Sequence, residues 1–132
     1  MKQLKTFIAV DFDGTLCKNL YPAIGEPNRL IIDELHLLQK YRNCDLILWT
    51  CRIGKALDEA VDWCKKQGLR FDYINENAPF VIKKYGLDCR KVSADYYIDD
   101  KSFFGSEEEK TYRIERLLYK IYVKLSEVHG GK

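Results

Sequence analysis

Residues 6–15 have the sequence TFIAVDFDGT, in which an apolar run leads directly into two acidic residues and a glycine. Residues 6–12 are β-branched and aromatic with an almost continuous apolar core, which is typical of a strand buried on both faces. Gly14 permits a sharp turn immediately afterwards. Asp11 and Asp13 are therefore expected at the carboxyl end of a buried strand.

Further apolar segments alternate with helical segments along the rest of the chain. Strands are predicted at residues 45–50, 71–74 and 94–99, and helices at residues 29–41, about 55–67 and 107–128. A further helix is predicted between Asn77 and Gly86, with Pro79 near its start. Strands that alternate with helices favour a mainly parallel sheet covered by helices on both sides. The expected fold is a doubly wound, Rossmann-like α/β sandwich of three layers.

Local signals set the limits of several of these elements. Residues 13–28 are rich in Gly, Pro and Asn, which predicts a long loop. Asn28 and Asn77 are predicted as helix N-caps, and Ser106 and Glu109 have the spacing of a capping box. The last helix is amphipathic, with an apolar stripe at Ile114, Leu117, Leu118, Ile121, Leu125 and Val128.

Length and composition limit the class of protein. A chain of 132 residues falls in the range of one domain, so residues 1–132 are expected to form a single unit. The 46% hydrophobic fraction excludes a disordered chain. The 22 basic residues are balanced by 20 acidic ones, so the charge alone shows no nucleic-acid footprint.

The cysteines and the hydropathy pattern point to the cytoplasm. The cysteine count of 5 is odd and contains no C-x-x-C pair, which favours free thiols in a reducing compartment. No stretch approaches the roughly 20 apolar residues of a membrane span. Neither a membrane span nor a signal peptide is therefore expected.

Polar side chains follow the predicted strands at their carboxyl ends. They are Asp11 and Asp13 after the first strand, Thr50 and Arg52 after the second, and Asp99 and Asp100 after the last. Ligands bind at this edge of a doubly wound sheet. Several ionised carboxylates can gather there only with a cation among them, and hard oxygen ligands without histidine favour Mg²⁺ over zinc. A Mg²⁺ ion held in this way commonly meets a phosphate.

Four segments carry a resemblance to a known family. DFDGTL, at residues 11–16, resembles the first motif of the haloacid dehalogenase superfamily, whose phosphohydrolases form a phosphoaspartate. Thr50 at the end of LILWT resembles the second motif, and Lys91 resembles the third. YYIDD, at residues 96–100, resembles the fourth. The motifs follow one another in the family's order, which implies a Mg²⁺-dependent phosphatase that hydrolyses phosphomonoesters.

The resemblance also implies a role for each matching residue. Asp11 would be the nucleophile, and Asp13 the acid that protonates the leaving oxygen and then activates water. Thr50 and Lys91 would bind the phosphate, with Lys91 also stabilising the intermediate. Asp99 would bind Mg²⁺ together with Asp11 and the backbone carbonyl of Asp13.

Three assignments within the motifs stay open. Neighbouring residues of a strand face opposite ways, so Asp99 is the favoured ligand and Asp100 an alternate or supporting one. Lys83 and Lys84 compete with Lys91 for the third motif.

The third open assignment is the role of Arg52. Its guanidinium suits oxyanions, so it fits a phosphate contact and a structural ion pair about equally well.

The spacing of the motifs leaves no room for the cap domain of larger family members. Residues 16–49 and 51–90 are largely used by predicted strands and helices, and residues 17–28 supply at best a small flap. An open site admits bulky phosphorylated substrates such as a nucleic-acid end, a nucleotide or a phosphoprotein. A homo-oligomer built on helix 107–128 is an alternative to a monomer.

Two other functions fit the same residues. One is a phosphorylatable switch like a receiver domain, although receivers place the phosphoacceptor two strands after the acidic pair. The other is a phosphate-binding module without turnover.

Overall fold

The computed structural model describes residues 5–128, which alternate strands and helices as the sequence predicts. The strands are β1 (Thr6–Val10), β2 (Cys17–Leu20), β3 (Ala23–Pro27), β4 (Cys44–Leu48), β5 (Tyr73–Ile74) and β6 (Tyr96–Ile98). The helices are α1 (Arg29–Tyr41), α2 (Gly54–Lys66), α3 (Pro79–Tyr85) and α4 (Glu107–Val128), and a 3₁₀ turn covers Asp100–Ser102.

The central sheet reverses its strand order beside β1. Its order is β5-β4-β1-β6, and every pairing in it is parallel. The chain moves from β1 through β4 to β5 on one side and then crosses to β6 on the other. Such a reversal opens a crevice beyond the carboxyl ends of the strands, which is where doubly wound proteins bind ligands.

Alternate residues of β1 face two apolar layers. Ile8 and Val10 lie in a core with residues of α1, α2 and α4, whereas Phe7 and Ala9 pack with Val81 of α3. All four side chains are buried. This confirms the strand buried on both faces and the three-layer α/β sandwich with a mainly parallel sheet.

The side-chain bonds of one predicted helix cap are present, whereas those of another are not. The capping box is present, because Glu109 Oε1 accepts from the Ser106 N–H at 2.8 Å and Ser106 Oγ accepts from the Glu109 N–H at 3.2 Å. The side-chain cap expected at Asn28 is absent. Asn28 Nδ2 instead donates to Thr111 Oγ1 at 2.9 Å, which ties the start of α1 to α4.

The long loop predicted at residues 13–28 is wrong, because most of it forms an antiparallel hairpin. Strands β2 and β3 pair around a tip at Tyr21–Pro22, whose peptide bond is cis. Gly25 allows the close pairing, since a Cβ there would overlap the carbonyl of Lys18. Between β1 and α1 the chain therefore carries only this small hairpin.

Helix α4 uses its apolar stripe within the fold. Ile114, Leu118, Ile121 and Leu125 are buried, and α4 packs against α1. Leu117 is packed against the same core, and the Val128 side chain lies outside the described residues.

Two further properties concern the whole of residues 5–128. None of the helices in this range combines the length and the apolar character that a membrane span needs. All five cysteines carry free thiols, and Cys17, Cys44 and Cys64 are buried.

Candidate functional site

Three carboxylates meet where β1 and β6 end. Asp11, Asp99 and Asp100 each offer an oxygen, and these oxygens lie within 4.8 Å of one another. The N–H of Asp11 donates to the carbonyl of Ile98 at 2.9 Å, which extends the β1–β6 pairing one residue beyond β1. The reversal of strand order therefore places these acids together, as the sequence predicts.

Both acids of the Asp99–Asp100 pair reach the cluster because the chain turns between them. Asp99 is still extended, with φ at −145°, and the 3₁₀ turn begins at the next residue. Asp99 Oδ1 accepts from the N–H of Lys101 at 2.9 Å, which stabilises that turn. Asp100 thus belongs to the cluster alongside Asp99 rather than lying behind it.

Thr15 forms hydrogen bonds with two of the carboxylates, a role that the sequence did not predict. Its side chain is fully buried, with Oγ1 at 3.1 Å from Asp11 Oδ2 and 3.3 Å from Asp100 Oδ1. The same oxygen accepts from the backbone N–H of Asp100 at 3.0 Å. The signal available in the sequence is its place at the end of DFDGT, four residues after Asp11.

The close approach of Asp100 requires a glycine at position 14. Its φ is +89°, and a Cβ at this position would lie 2.6 Å from Asp100 Oδ2. Side chains rarely adopt this backbone conformation, and here the space is also filled. The glycine therefore lets Asp100 approach the end of β1.

The electrostatics of the cluster favour a bound cation. Burial, followed by the charge of Asp99 and a hydrogen bond with Asp100, raises the pKa of Asp11 to about 8. The donor set consists of carboxylates alone, which suits a hard divalent cation such as Mg²⁺. These three side chains fit the metal that the sequence predicts.

Asp13 is not part of this carboxylate group and pairs with Arg52. Arg52 Nε and Nη2 donate to the two Asp13 oxygens at 2.9 and 2.8 Å, and the arginine is 1% exposed. Both carboxylate oxygens of Asp13 are engaged by this arginine. The proposed ligation through the Asp13 backbone carbonyl stays a prediction.

The remaining donors of Arg52 are also used. Its other three N–H groups donate to the carbonyls of Pro22, Ala23 and Ala56 at 3.1, 3.0 and 3.3 Å. Because all five donors are occupied, none is left for a phosphate. This corrects the expectation that Arg52 binds substrate phosphate and supports the alternative of a structural ion pair.

Thr50 lies at the same edge of the sheet, beyond the end of β4. Its N–H donates to Asn75 Oδ1 at 2.9 Å, and its Oγ1 accepts from the Arg52 N–H at 3.2 Å. Within residues 5–128 no group accepts the Thr50 hydroxyl proton in a hydrogen bond. This half-buried hydroxyl can therefore donate to a ligand.

Lys91 is exposed, and its Nζ lies 5.1 Å from the centre of the Tyr97 ring. Among the described residues no ion pair joins it to the carboxylates. The competing Lys84 lines a cavity with Thr6, at the start of β1, and so belongs to the opposite edge of the sheet. Lys83 is its neighbour in the last turn of α3.

Asn77 fixes the loop that carries Lys91, rather than capping α3 as predicted. The N-cap of α3 is Ala78. Asn77 Oδ1 accepts from the Ser93 N–H at 2.6 Å, while its Nδ2 donates to Asp88 Oδ1 at 2.9 Å and to the Cys89 carbonyl at 3.1 Å. One buried amide thus joins both ends of this loop.

Comparison with known proteins finds one similar structure to report. It is the structure of a conserved protein from Bacteroides thetaiotaomicron, with 37% sequence identity and a TM-score of 0.68. The match covers 86% of this chain and 92% of that one. No protein-family model matches the chain, and no curated protein matches it either.

Replacing Gly14 by Ala should destabilise the fold more than replacing Gly68 by Ala. Both residues have a positive φ, +89° and +88°, but a Cβ at Gly68 meets nothing within 4 Å. Both variants are expected to lose about 1–2 kcal/mol from backbone strain, and Gly14→Ala at least about 1 kcal/mol more. Urea denaturation measures the difference, and equal losses would contradict the close approach of Asp100.

The pKa of Asp11 predicts how stability depends on pH without metal. Between its ordinary pKa of 3.8 and its folded value of about 8, the folded protein keeps a proton that the unfolded chain has lost. The stabilisation is complete below the lower value and disappears as pH rises through the upper one. In EDTA, the free energy of unfolding of the wild type should therefore fall relative to Asp11→Asn over this range, and a pH-independent difference would contradict it.

Proposed function

We propose that this chain, which belongs to the same family as the conserved Bacteroides thetaiotaomicron protein, is a Mg²⁺-dependent phosphomonoester hydrolase. The observation that carries the proposal is the cluster of Asp11, Asp99 and Asp100 at the point where the strand order reverses. The four motifs resembling the haloacid dehalogenase superfamily add independent support from the sequence.

The metal is proposed to bind to the three clustered carboxylates. They offer oxygen ligands only, and burial together with the charge of Asp99 raises the pKa of Asp11. When bound there, Mg²⁺ supplies positive charge that offsets this repulsion and the charge of the phosphate.

Asp11 is the proposed nucleophile. Its carboxylate oxygen attacks phosphorus, the bond from phosphorus to the ester oxygen breaks, and an aspartyl-phosphate forms. Thr15 Oγ1, 3.1 Å from Asp11 Oδ2, holds the carboxyl group in one orientation. Fixing the attacking oxygen in this way lowers the entropic cost of the reaction.

Asp13 is the proposed acid and base. It gives a proton to the leaving oxygen in the first step and removes one from water in the second, when water attacks phosphorus and regenerates Asp11. Its side chain is 17% exposed, so the carboxyl group still reaches solvent beside its pair with Arg52. The net reaction converts a phosphomonoester and water into an alcohol and inorganic phosphate.

Thr50 and Lys91 are proposed to bind the phosphate. The Thr50 hydroxyl has a free donor at the edge of the sheet, and Lys91 carries an exposed positive charge on a loop that Asn77 fixes. Phosphoryl transfer needs chiefly positioning and charge stabilisation, which these two groups supply.

A bulky phosphorylated substrate fits the surroundings of this site. The only cover that residues 5–128 provide between β1 and α1 is the β2–β3 hairpin. A nucleic-acid end, a nucleotide or a phosphoprotein is therefore the proposed substrate class, and the chain acts as a monomer or a homo-oligomer.

Replacing Asp11 by Asn should abolish phosphate release from p-nitrophenyl phosphate in the presence of Mg²⁺. The amide is a poor nucleophile, so the expected loss is at least a thousandfold, roughly 4 kcal/mol in activation free energy. Asp62→Asn is the matched control, because this aspartate is 66% exposed on α2 and should retain full activity. Circular dichroism checks that both variants fold.

Three outcomes distinguish the proposed function from its alternatives. Full activity of Asp11→Asn would overturn the mechanism. A wild-type protein that gains a stable phosphoryl group on Asp11 but releases no phosphate would instead be a switch. Binding of phosphate compounds without either reaction would indicate a binding module.

Mg²⁺ should stabilise the wild-type protein and fail to stabilise Asp100→Asn. At a Mg²⁺ concentration 100-fold above the dissociation constant, binding contributes about 2.7 kcal/mol, which raises Tm by several degrees. Thermal unfolding in MgCl₂ and in EDTA measures the shift, with Asp62→Asn as the control that keeps it. An equal shift in Asp100→Asn would place the metal elsewhere.

A further inference from the structure

One buried side chain connects the site to the hairpin that covers it. The guanidinium of Arg52 binds the carboxylate of Asp13 and the carbonyls of Pro22 and Ala23 at the hairpin tip. Its carbon lies 5.0 Å from the ring centre of Phe12 and 5.0 Å from that of Tyr21. The residues that follow β1 and the tip of the hairpin therefore share one cation.

Each of these contacts depends on the planar fork of arginine. The paired bonds to Asp13 use Nε and Nη2, while Nη1 and Nη2 each direct one further proton to the hairpin, and the second proton of Nη1 goes to the carbonyl of Ala56 in α2. A lysine keeps the charge but has three donors on one atom, so it cannot bind all of these acceptors. The arrangement is therefore specific to arginine and is not merely a way to neutralise Asp13.

We propose that Arg52 is a positioning residue that locks the β2–β3 hairpin and the carboxyl group of Asp13 in place together. Movement of the hairpin tip changes the orientation of Asp13, and loss of the ion pair releases the tip. In this proposal the hairpin borders the part of the site that binds the leaving group of the substrate. The last step rests on the proposed function, in which Asp13 protonates the leaving oxygen.

The coupling between the hairpin and Asp13 can be tested without an activity assay. Hydrogen exchange should accelerate at least tenfold in residues 17–27 of both Arg52→Lys and Asp13→Asn, while the amides of β1 and β4 keep their protection. Asp13→Asn changes no residue of the hairpin. Because residue 13 also forms a backbone bridge with Cys17 at the base of β2, exchange at the hairpin tip, which Arg52 joins to the Asp13 carboxylate, is the measurement that decides. Arg70→Lys, with an arginine side chain that is 78% exposed, is the control that leaves exchange unchanged.

The catalytic half is testable with a series of leaving groups. An alkoxide leaving group needs a proton from Asp13, whereas 2,4-dinitrophenolate does not. Arg52→Lys should therefore lose at least tenfold more kcat on an alkyl phosphate than on 2,4-dinitrophenyl phosphate. In an Asp13→Asn background, the same substitution should have little further effect on either substrate.

The outcomes separate this proposal from the proposed function. Unchanged hairpin exchange in Asp13→Asn overturns the coupling, whether or not Arg52→Lys folds. Accelerated exchange with an equal loss of kcat on both substrates overturns the positioning of Asp13. A wild-type protein inactive toward every phosphomonoester overturns the proposed function, while the exchange measurement still decides the coupling.

Discussion

The loops at this edge of the sheet keep three carboxylates close together against their mutual repulsion, and the rest of the site depends on this constraint. One oxygen from each of Asp11, Asp99 and Asp100 lies within 4.8 Å of the others, although burial and the charge of Asp99 raise the pKa of Asp11. Thr15 is hydrogen-bonded to Asp11 and Asp100, and Gly14 leaves the space that Asp100 needs. These contacts cost stability in the metal-free protein, and strain of this kind is typical of functional sites.

Asp13, two residues after Asp11, has a cationic partner within the fold, which the three clustered carboxylates lack within residues 5–128. Asp13 is fully paired with Arg52, a buried cation with five satisfied donors. The fold thus neutralises one carboxylate internally and leaves three without a cationic partner among the described residues. This difference supports the proposed cation site at the three clustered carboxylates.

The sequence predicts the sheet and helices well because both depend on local periodicity. β1, α1 and α4 have apolar patterns that no tertiary contact reverses, and the capping box at Ser106 needs only residues three apart. The hairpin was missed because its Gly, Pro and Asn content resembles a loop, and its pairing depends on a close approach at Gly25. Asn77 was misassigned, and Asn28 occupies the predicted N-cap position without the expected side-chain bond, for a related reason, since their amides bind partners far along the chain.

The same distinction explains which parts of the site could be predicted. Asp11, Asp99 and Thr50 follow strands, so the topology alone brings them to one edge. The role of Arg52 could not be predicted in this way. Three of its five bonds go to backbone carbonyls, two of them at the hairpin tip, and no sequence pattern identifies these acceptors.

Charge distribution within the site links stability to catalysis. A carboxyl group with a pKa of about 8 is largely protonated at neutral pH and is a weak nucleophile. A divalent cation among the same three oxygens favours the ionised form of Asp11, which lowers its pKa and restores its nucleophilicity. In the proposed mechanism, the attack by Asp11 would therefore depend on the metal. The proposed phosphatase would keep its nucleophile inactive until the group that neutralises the phosphate is in place.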